Sequence, residues 1–335
     1  MRAVVLVGGY GTRLRPLTLH RPKQLLPVVD RPMIEWVLGA LGAHGIDDAV
    51  LSLGYRPDAF AAAYPDGRCA GVALHYAVEP EPLDTAGAVR FAARDAGITG
   101  RFLVVNGDVL TDLDVSALIE FHDEAGAEAT IALHEVDDPS RFGVVPTDDA
   151  GRVVAFVEKP ALAEAPTRMI NAGTYVLEPT VVERIPGGRR VSIERETFPS
   201  LAADGTLYGM PDGDAYWIDT GTPAQYLQSQ LDVIDGVRGP APAPLSAMAS
   251  IAKDALVERS VVMDGVVVEG GAEVRDAAVL SGARIGRGAH VSGSIVGPGS
   301  VVGAGAKIVD GSVLGDGVVI ADGETICGER IPAPD

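Results

Sequence analysis

The first thirty residues concentrate side chains suited to holding phosphate. The apolar run RAVVLV at 2–7 leads directly into Gly8-Gly9-Tyr10-Gly11-Thr12-Arg13. Glycines in such a loop let backbone N–H groups come close to an anion. The pattern is not a dinucleotide fingerprint, which needs a third glycine where Leu14 stands, and it is not a Walker A loop, which ends in GK[ST]. Alone, such a loop is as readily a plain tight turn between a strand and a helix. The cations that follow strengthen the case: Arg13, then Lys23 in Pro22-Lys23-Gln24, flank the same loop. Attack at the α-phosphorus of a nucleoside triphosphate builds negative charge on bridging and terminal oxygens, and fixed cations stabilise that charge. Arg15 and Arg21, in the same acid-free stretch, read as surface or structural charges.

Carboxylates supply the second ingredient. Asn106-Gly107-Asp108 closes the apolar run RFLVV, and Asp219 stands in WIDTGTP after another short apolar stretch. Either could hold Mg²⁺, which needs only one or two carboxylates when substrate phosphates fill its other positions. Spacing alone does not say that Asp108 and Asp219 meet. Val153–Val157 reads as a strand ending in Glu158-Lys159-Pro160, where the lysine could bind a second phosphate and Glu158 could accept from sugar hydroxyls; a surface ion pair before a proline turn is the competing interpretation. Asn171-Ala172-Gly173 is a polar, glycine-bearing break between apolar runs. Histidines do not cluster, and no G-x-S-x-G elbow is present, so in-line displacement without a covalent intermediate is the simplest chemistry left.

These groups need a scaffold. Residues 2–7, 48–55 and 101–105 read as short strands, while Pro32–Leu41 and 85–96 carry helical spacing, with Gly45 as a stop for the first helix. The alternation predicts a Rossmann-like, mixed and mainly parallel sheet flanked by helices, an α/β fold whose ligands sit at the carboxyl ends of strands. The 335 residues suit two domains, and nearly half are apolar. A net charge of −19 argues against a nucleic-acid or anionic-membrane partner. Only four lysines occur, Lys23, Lys159, Lys253 and Lys307, and two of them fall in the motifs above. Cys69 and Cys327 offer no disulfide framework, and no signal peptide or membrane-length apolar run is visible, which predicts a cytoplasmic chain.

Beyond residue 235 the texture changes. Residues 236–250, GVRGPAPAPLSAMAS, read as a linker, and 251–335 as a second domain with a six-residue period. Apolar residues stand at Leu256, Val262, Val268, Val274 and Leu280. The phase then slips by one to Ile285 and Val291, and again to Val296, Val302, Ile308, Leu314, Ile320 and Ile326. Six fits neither helix nor alternating strand. It fits a β-helix with three flat faces per coil and one inward apolar residue per face, making roughly four coils.

The ordered string GGYGTRLRPLT, RPK, LDTAGA, NGD, FGVV, EKP, NAG and WIDTGTP resembles the sugar-1-phosphate nucleotidyltransferases over nearly the whole of residues 1–235, and the hexad tail is similar to the left-handed parallel β-helix that many members append. Within the family, VLVGGYGTRLRPLT and SIERETFPSLAADGTLYGM are most similar to the mannose-1-phosphate guanylyltransferase branch. The resemblance implies a catalytic domain at 1–235 that joins an NTP, GTP in that branch, to a sugar 1-phosphate, giving GDP-mannose and pyrophosphate. It implies that Gly8, Gly9, Gly11 and Thr12 hold the nucleotide, with Thr85 and Gly87 near base and ribose. Arg13, Lys23 and Asp108 are the implied catalytic residues, with Asp108 and Asp219 binding Mg²⁺. Lys159 would take the sugar phosphate, with Gly143, Glu158, Asn171 and Gly173 around the sugar.

Two residues depart from the guanylyltransferase pattern. Gln24 is closer to the thymidylyltransferase form, and Asp84 stands where glycine is common. A glucose-1-phosphate thymidylyl- or uridylyltransferase is therefore an alternative. A non-catalytic subunit that senses NDP-sugar is another, disfavoured by the presence of Arg13, Lys23, Asp108 and Asp219. A hexapeptide acyltransferase would need a basic histidine in the coils, and His290 there reads as a solvent-facing polar residue. Hexapeptide coils often self-associate, which predicts a homo-oligomer.

Overall fold

A computed structural model describes residues 1–334. The chain divides into two compact units. The first holds Met1–Gly9 and Ile34–Trp217; the second holds Tyr10–Met33 and the chain from Ile218 on.

In the first unit the strands expected at 2–7, 48–55 and 101–105 and the helices expected at 32–41 and 85–96 form where apolar spacing placed them, and further strands join them. They are β1 (Arg2–Leu6), α1 (Met33–Ala43, whose first residue belongs to the other unit), β2 (Asp48–Leu53), β3 (Val72–Val78), α2 (Asp84–Asp95), β4 (Phe102–Asn106), β5 (Ala129–Glu135), β6 (Gly143–Val144), β7 (Val157–Glu158), β8 (Met169–Leu177) and β9 (Leu207–Pro211). The sheet runs β7-β6-β8-β4-β1-β2-β3. Its centre, β4-β1-β2-β3, is parallel, whereas β8 joins β4 antiparallel and β5 and β6 pair with β8. The parallel strands read as continuous apolar runs because both faces are covered. Val4, Val50, Phe102, Val104 and Tyr175 share one buried cluster with Ala86, Val89, Ala92 and Ala93 of α2. The small residues of α2 let the helix lie close to the sheet.

The expected strand over Val153–Val157 is corrected: only Val157–Glu158 is strand. Val153 is buried and bridges Thr147, and Val154 is 59% exposed, so the run drapes over the sheet margin as an irregular arm after a turn at Gly151. Asn171-Ala172-Gly173 is likewise no break between elements. It lies inside the nine-residue β8, as a bulge where the register against β5 shifts between Asn171 and Tyr175.

In the second unit, residues from Ser250 to Ile331 wind into a parallel β-helix whose three faces each carry five strands. Five coils stand where the hexads implied about four. The register explains the slips. Ile251, Val268, Ile285 and Val302 stack at steps of 17 residues, and Ile320 follows at 18. A 17-residue coil holds two hexads and one five-residue side, so one slip per coil is built in. Two inward positions also move by one residue. Val279, not Leu280, joins the interior cluster, and Val257 packs against it while Leu256 faces out at 36% exposure. The helix Pro223–Ile234, capped by Thr222 through its hydroxyl to Gln225 N, precedes the coils. Its Gln230 and Tyr226 side chains hold the backbone of Pro27 and Val29. No helix among the described residues is long and apolar enough to cross a membrane.

Candidate active site

In the first unit the carboxyl ends of β1, β2, β3 and β4 come together around glycine. A Cβ on Gly54 would stand 3.0 Å from the Gly8 carbonyl oxygen, and one on Gly107 would stand 2.6 Å from Val7 Cγ1. Only side-chain-free residues fit at these approaches. The result is bare backbone at the strand tips, with Asn106 ending β4 and the half-buried Asp108 two residues beyond it.

Glu79, which follows β3, was not singled out from the sequence. Its carboxylate accepts from Ser52 Oγ at 3.0 Å and from Leu83 N at 3.1 Å, and a Cβ on Gly8 would lie 3.2 Å from its Oε1. Burial pushes its carboxyl above the usual range, and the two donors offset only part of that. In EPEP the residue looks like an ordinary solvent-exposed acid. Its one signal was its place directly after an apolar strand.

The LDTAGA segment turns into α2. Asp84 sits at φ +63°, the left-handed region, with its own Oδ1 accepting from Thr85 N at 2.9 Å. That is a backbone reason for glycine at this position, and the short polar side chain lets aspartate substitute. Thr85 Oγ1 donates to Glu194 at 2.7 Å and accepts from Ile193 N at 2.8 Å. Gly87 N donates to the Val191 carbonyl at 3.2 Å, and a Cβ there would stand 2.9 Å from Leu83 Cβ. Thr85 and Gly87 thus fasten α2 to the segment 191–194.

A second cluster gathers around Tyr175. Its hydroxyl accepts from Asn171 Nδ2 at 2.9 Å, and Gly173 N donates to Asn171 Oδ1 at 2.9 Å. Gly173 is at φ +80°, with Asn106 Nδ2 only 2.6 Å from where a Cβ would be, so the bulge of β8 packs on the Asn106 side chain. Burial, then the charges of Glu194, Glu158 and Asp108, drives the Tyr175 phenol far above its usual range. The buried hydroxyl thus feels the charge of three carboxylates, while its hydrogen bond is to Asn171. Glu194 lies in the π-helical turn Ile193–Thr197, a geometry frequent at functional sites. Gly143 pairs with Glu158, and a Cβ on it would collide with the Phe156 ring at 2.4 Å. Lys159 is exposed, at φ +51°, its ammonium 2.9 Å from Glu158. Phe142 and His134 pack on Trp217, whose indole donates to the Ala172 carbonyl.

The second unit holds Gly11, Thr12, Arg13, Lys23 and Asp219. Gly11, at φ +62°, lies between Thr18 and the Lys23 stem, and the Thr18 hydroxyl donates to its carbonyl at 2.8 Å. This closes the loop so that Thr12–Leu14 and Lys23–Leu25 each form a 3₁₀ turn. Arg13 is 64% exposed, and its guanidinium is 3.8 Å from Asp219, whose other oxygen accepts from Gly221 N at 2.9 Å. Gln24 turns inward, 1% exposed. Arg21 pairs with Asp316 of the β-helix, as its reading as a structural charge anticipated.

Among the described residues no three His, Cys, Asp or Glu side chains gather as a metal cage. Asp108 and Asp219 offer hard oxygen donors, and the Asp219 carboxylate is already steered by Gly221 N. Carboxylate oxygens of this kind suit a magnesium ion that completes its shell with phosphate oxygens and water; Asp108 lies in the first unit and Asp219 in the second. On the β-helix, His290 stands between Glu273 and Lys307 on neighbouring coils, its Nδ1 3.6 Å from Glu273.

Strand-tip glycines, flanking cations and hard carboxylates are the equipment of a nucleotidyl-transfer enzyme. The model of the Nucleotidyl transferase family matches residues 2–236, that of the GMPPB C-terminal domain matches 241–334, and the chain belongs to this family, among its sugar-1-phosphate nucleotidyltransferases. A mannose-1-phosphate guanylyltransferase of Mycobacterium tuberculosis is 45% identical over 249 residues, 72% of this chain and 66% of that protein, so the match spans just under two thirds of that relative. Mannose-1-phosphate guanylyltransferase 1 of Arabidopsis thaliana is 40% identical over 78% of this chain and 72% of that one. The crystal structure of HddC from Yersinia pseudotuberculosis complexed with GMP-PN is similar at TM-score 0.59 and 29% identity, covering 68% of this chain and 97% of that one.

Proposed function

We propose that this chain condenses GTP with mannose 1-phosphate to give GDP-mannose and pyrophosphate. The observation that carries the reading is the Glu79 carboxylate set against the bare backbone of Gly8 and Gly54. A carboxylate only accepts, and it has lone pairs beyond the two its protein donors use. Guanine presents adjacent N–H groups on its Watson–Crick edge, and an acceptor-only group pairs with both. Uracil and thymine present one N–H between two carbonyls, which a carboxylate repels. The guanylyltransferase relatives and the guanine nucleotide named with HddC support the same base. The two residues that point toward thymidine answer local demands of the fold instead: Gln24 is buried, and Asp84 occupies a left-handed backbone position.

In the reaction, an oxygen of the sugar phosphate attacks the α-phosphorus, a new P–O bond forms, and the bond to the β-phosphate oxygen breaks with pyrophosphate leaving. The nucleophile is already ionised, so no general base is required. Gly8, Gly9, Gly11 and Thr12 give the triphosphate small residues and backbone N–H groups on either side of Tyr10. Arg13 and Lys23 take the charge that develops on the β- and γ-phosphates. Lys159 pairs with the sugar phosphate, its Glu158 partner and Asn171 accept and donate to sugar hydroxyls, and Gly143 and Gly173 leave room for the ring. Thr85 and Gly87 act by fixing the start of α2 beneath the base. Asp108 and Asp219 are the carboxylates that would hold Mg²⁺, and the ion would supply neutralisation of phosphate charge and greater electrophilicity at the α-phosphorus.

The test is pyrophosphate release from each common nucleoside triphosphate against mannose, glucose and other sugar 1-phosphates, with and without magnesium. Strongest turnover with GTP and mannose 1-phosphate is expected. Activity confined to dTTP or UTP would overturn the base assignment, and silence with every pair would overturn the enzyme.

A further inference from the structure

The phosphate-loop segment is fastened from behind by the far end of the β-helix, within the same unit. In the 3₁₀ turn, Leu14 N, Arg15 N and Leu17 N donate to the carbonyls of Gly11, Thr12 and Leu14. The carbonyls of Arg13 and Arg15 accept instead from one guanidinium nitrogen, Arg330 Nη1, at 3.0 and 3.5 Å. Further along the segment, Arg21 Nη2 donates to Asp316 Oδ2 at 2.6 Å, and a Cβ on Gly315 would lie 3.0 Å from Pro16 Cβ. Arg330 and Gly315 come from neighbouring rungs of one face, where Val313 pairs with Arg330 and Gly315 N donates to the Ile331 carbonyl. The other oxygen of Asp316 is buried without a hydrogen-bond partner, so a carboxylate has been partly dehydrated to hold Arg21.

We propose that Arg330, with Asp316 acting through Arg21, is a positioning residue for Arg13. The Arg13 side chain is 64% exposed and its pairing with Asp219 is 3.8 Å long, so that contact fixes its direction only in part. What limits its arc is the main chain it leaves, and that main chain is pinned at residues 13 and 15 by a charged donor. Because the donor belongs to the last coil, the β-helix is part of the equipment that presents a cation to the leaving pyrophosphate. This rests on the reading above, in which Arg13 meets the triphosphate.

The experiment compares the full chain with Arg330→Ala, Arg330→Lys and Asp316→Asn, using Arg284→Ala as a control that removes an exposed β-helix ion pair away from the loop. Steady-state kinetics with GTP and mannose 1-phosphate are measured alongside hydrogen–deuterium exchange of residues 10–25. Arg330→Ala is expected to lower kcat/KM for the nucleotide about tenfold, the worth of a charge-assisted hydrogen bond, while the KM for the sugar phosphate stays put. Arg330→Lys should recover part of the loss, and exchange in 10–25 should rise with the other coils unchanged. A folded Arg330→Ala with wild-type nucleotide kinetics and unchanged exchange overturns the proposal. If that variant fails to fold, wild-type values for both Arg330→Lys and Asp316→Asn overturn it equally. A wild-type chain inactive with every substrate pair removes the functional reading, and exchange in 10–25 then decides whether Arg330 pins the loop.

Discussion

Replacing Gly221 with alanine puts a methyl carbon 2.5 Å from Arg13 Nη2, 2.8 Å from Asp219 Oδ1 and 3.0 Å from Arg13 Cζ. Comfortable non-bonded contact begins near about 3.5 Å, so the guanidinium must retreat by roughly 1 Å. Asp219 has less freedom, since its Oδ1 is the acceptor for Gly221 N itself. The backbone does not object, because Gly221 is not among the positive-φ positions, and removing a glycine stiffens the unfolded chain by about 0.4–1 kcal/mol. Arg13 is exposed and swings into solvent at little cost to the fold. The damage therefore falls on chemistry. A displacement of about 1 Å in a charge-stabilising group lowers rate by about 10²-fold, or about 2.7 kcal/mol of transition-state stabilisation. The assay is pyrophosphate release at saturating mannose 1-phosphate, paired with a thermal melt. Expected is a near-wild-type midpoint with kcat/KM for GTP down by about two orders of magnitude. A folded Gly221→Ala within about twofold of wild type would show that the Arg13–Asp219 arrangement does not bear on turnover.

Glu79→Gln turns an acceptor-only group into one donor and one acceptor, so discrimination for GTP over dTTP and UTP should narrow, measured as a ratio of kcat/KM values. Burial raises the Glu79 carboxyl, so the ionised form that guanine needs is lost as pH falls through that raised value; the KM for GTP should climb on the acid side, and the Gln variant should lack that climb. Asp84→Gly relieves a left-handed backbone at the cost of one local hydrogen bond, so a melting midpoint equal to or a few degrees above wild type is expected, with unchanged base preference in a nucleotide panel. His122 is buried with Nδ1 2.8 Å from Thr130 Oγ1, and burial lowers its pKa from 6.5 despite the nearby Glu178. The unfolded chain takes up that proton first, so its contribution is intact above pH 6.5 and is lost as pH falls through and below it; thermal midpoints across this window should drop less steeply in His122→Gln.

How much of this was legible followed from how local the cause was. The parallel core strands announce themselves because burial on both faces makes them continuous apolar runs. The hexads announce the β-helix because every coil repeats the same inward demand. The phase failed where two apolar residues adjoin, as at Leu256-Val257 and Val279-Leu280, since either could point inward and only the 17-residue stacking decides. The irregular arm at 153–156 misled because valines that drape over a margin look like valines in a strand. Glu79, Tyr175 and Glu194 escaped notice because their meaning is tertiary. A carboxylate becomes informative when it is dehydrated beside glycine backbone, and a tyrosine when it is wholly buried within the field of three acids. Gly87 stood out through the LDTAGA motif, whereas the engagement of its amide by the Val191 carbonyl is visible only in the fold.

Repeat architectures ordinarily tolerate a change in the number of their units, since each rung needs only its neighbours. Here both ends are moored. Arg259 in the first coil grips Asp235 at the end of the helix before the coils, and Arg330 in the last grips the carbonyls of residues 13 and 15. Duplicating one coil would carry the far mooring along the axis by one strand spacing, about 4.8 Å, which no hydrogen bond survives. The solenoid thus behaves as a ruler between two marks: five turns separate the moorings, and a coil inserted or removed between them would carry Arg330 off the carbonyls of residues 13 and 15.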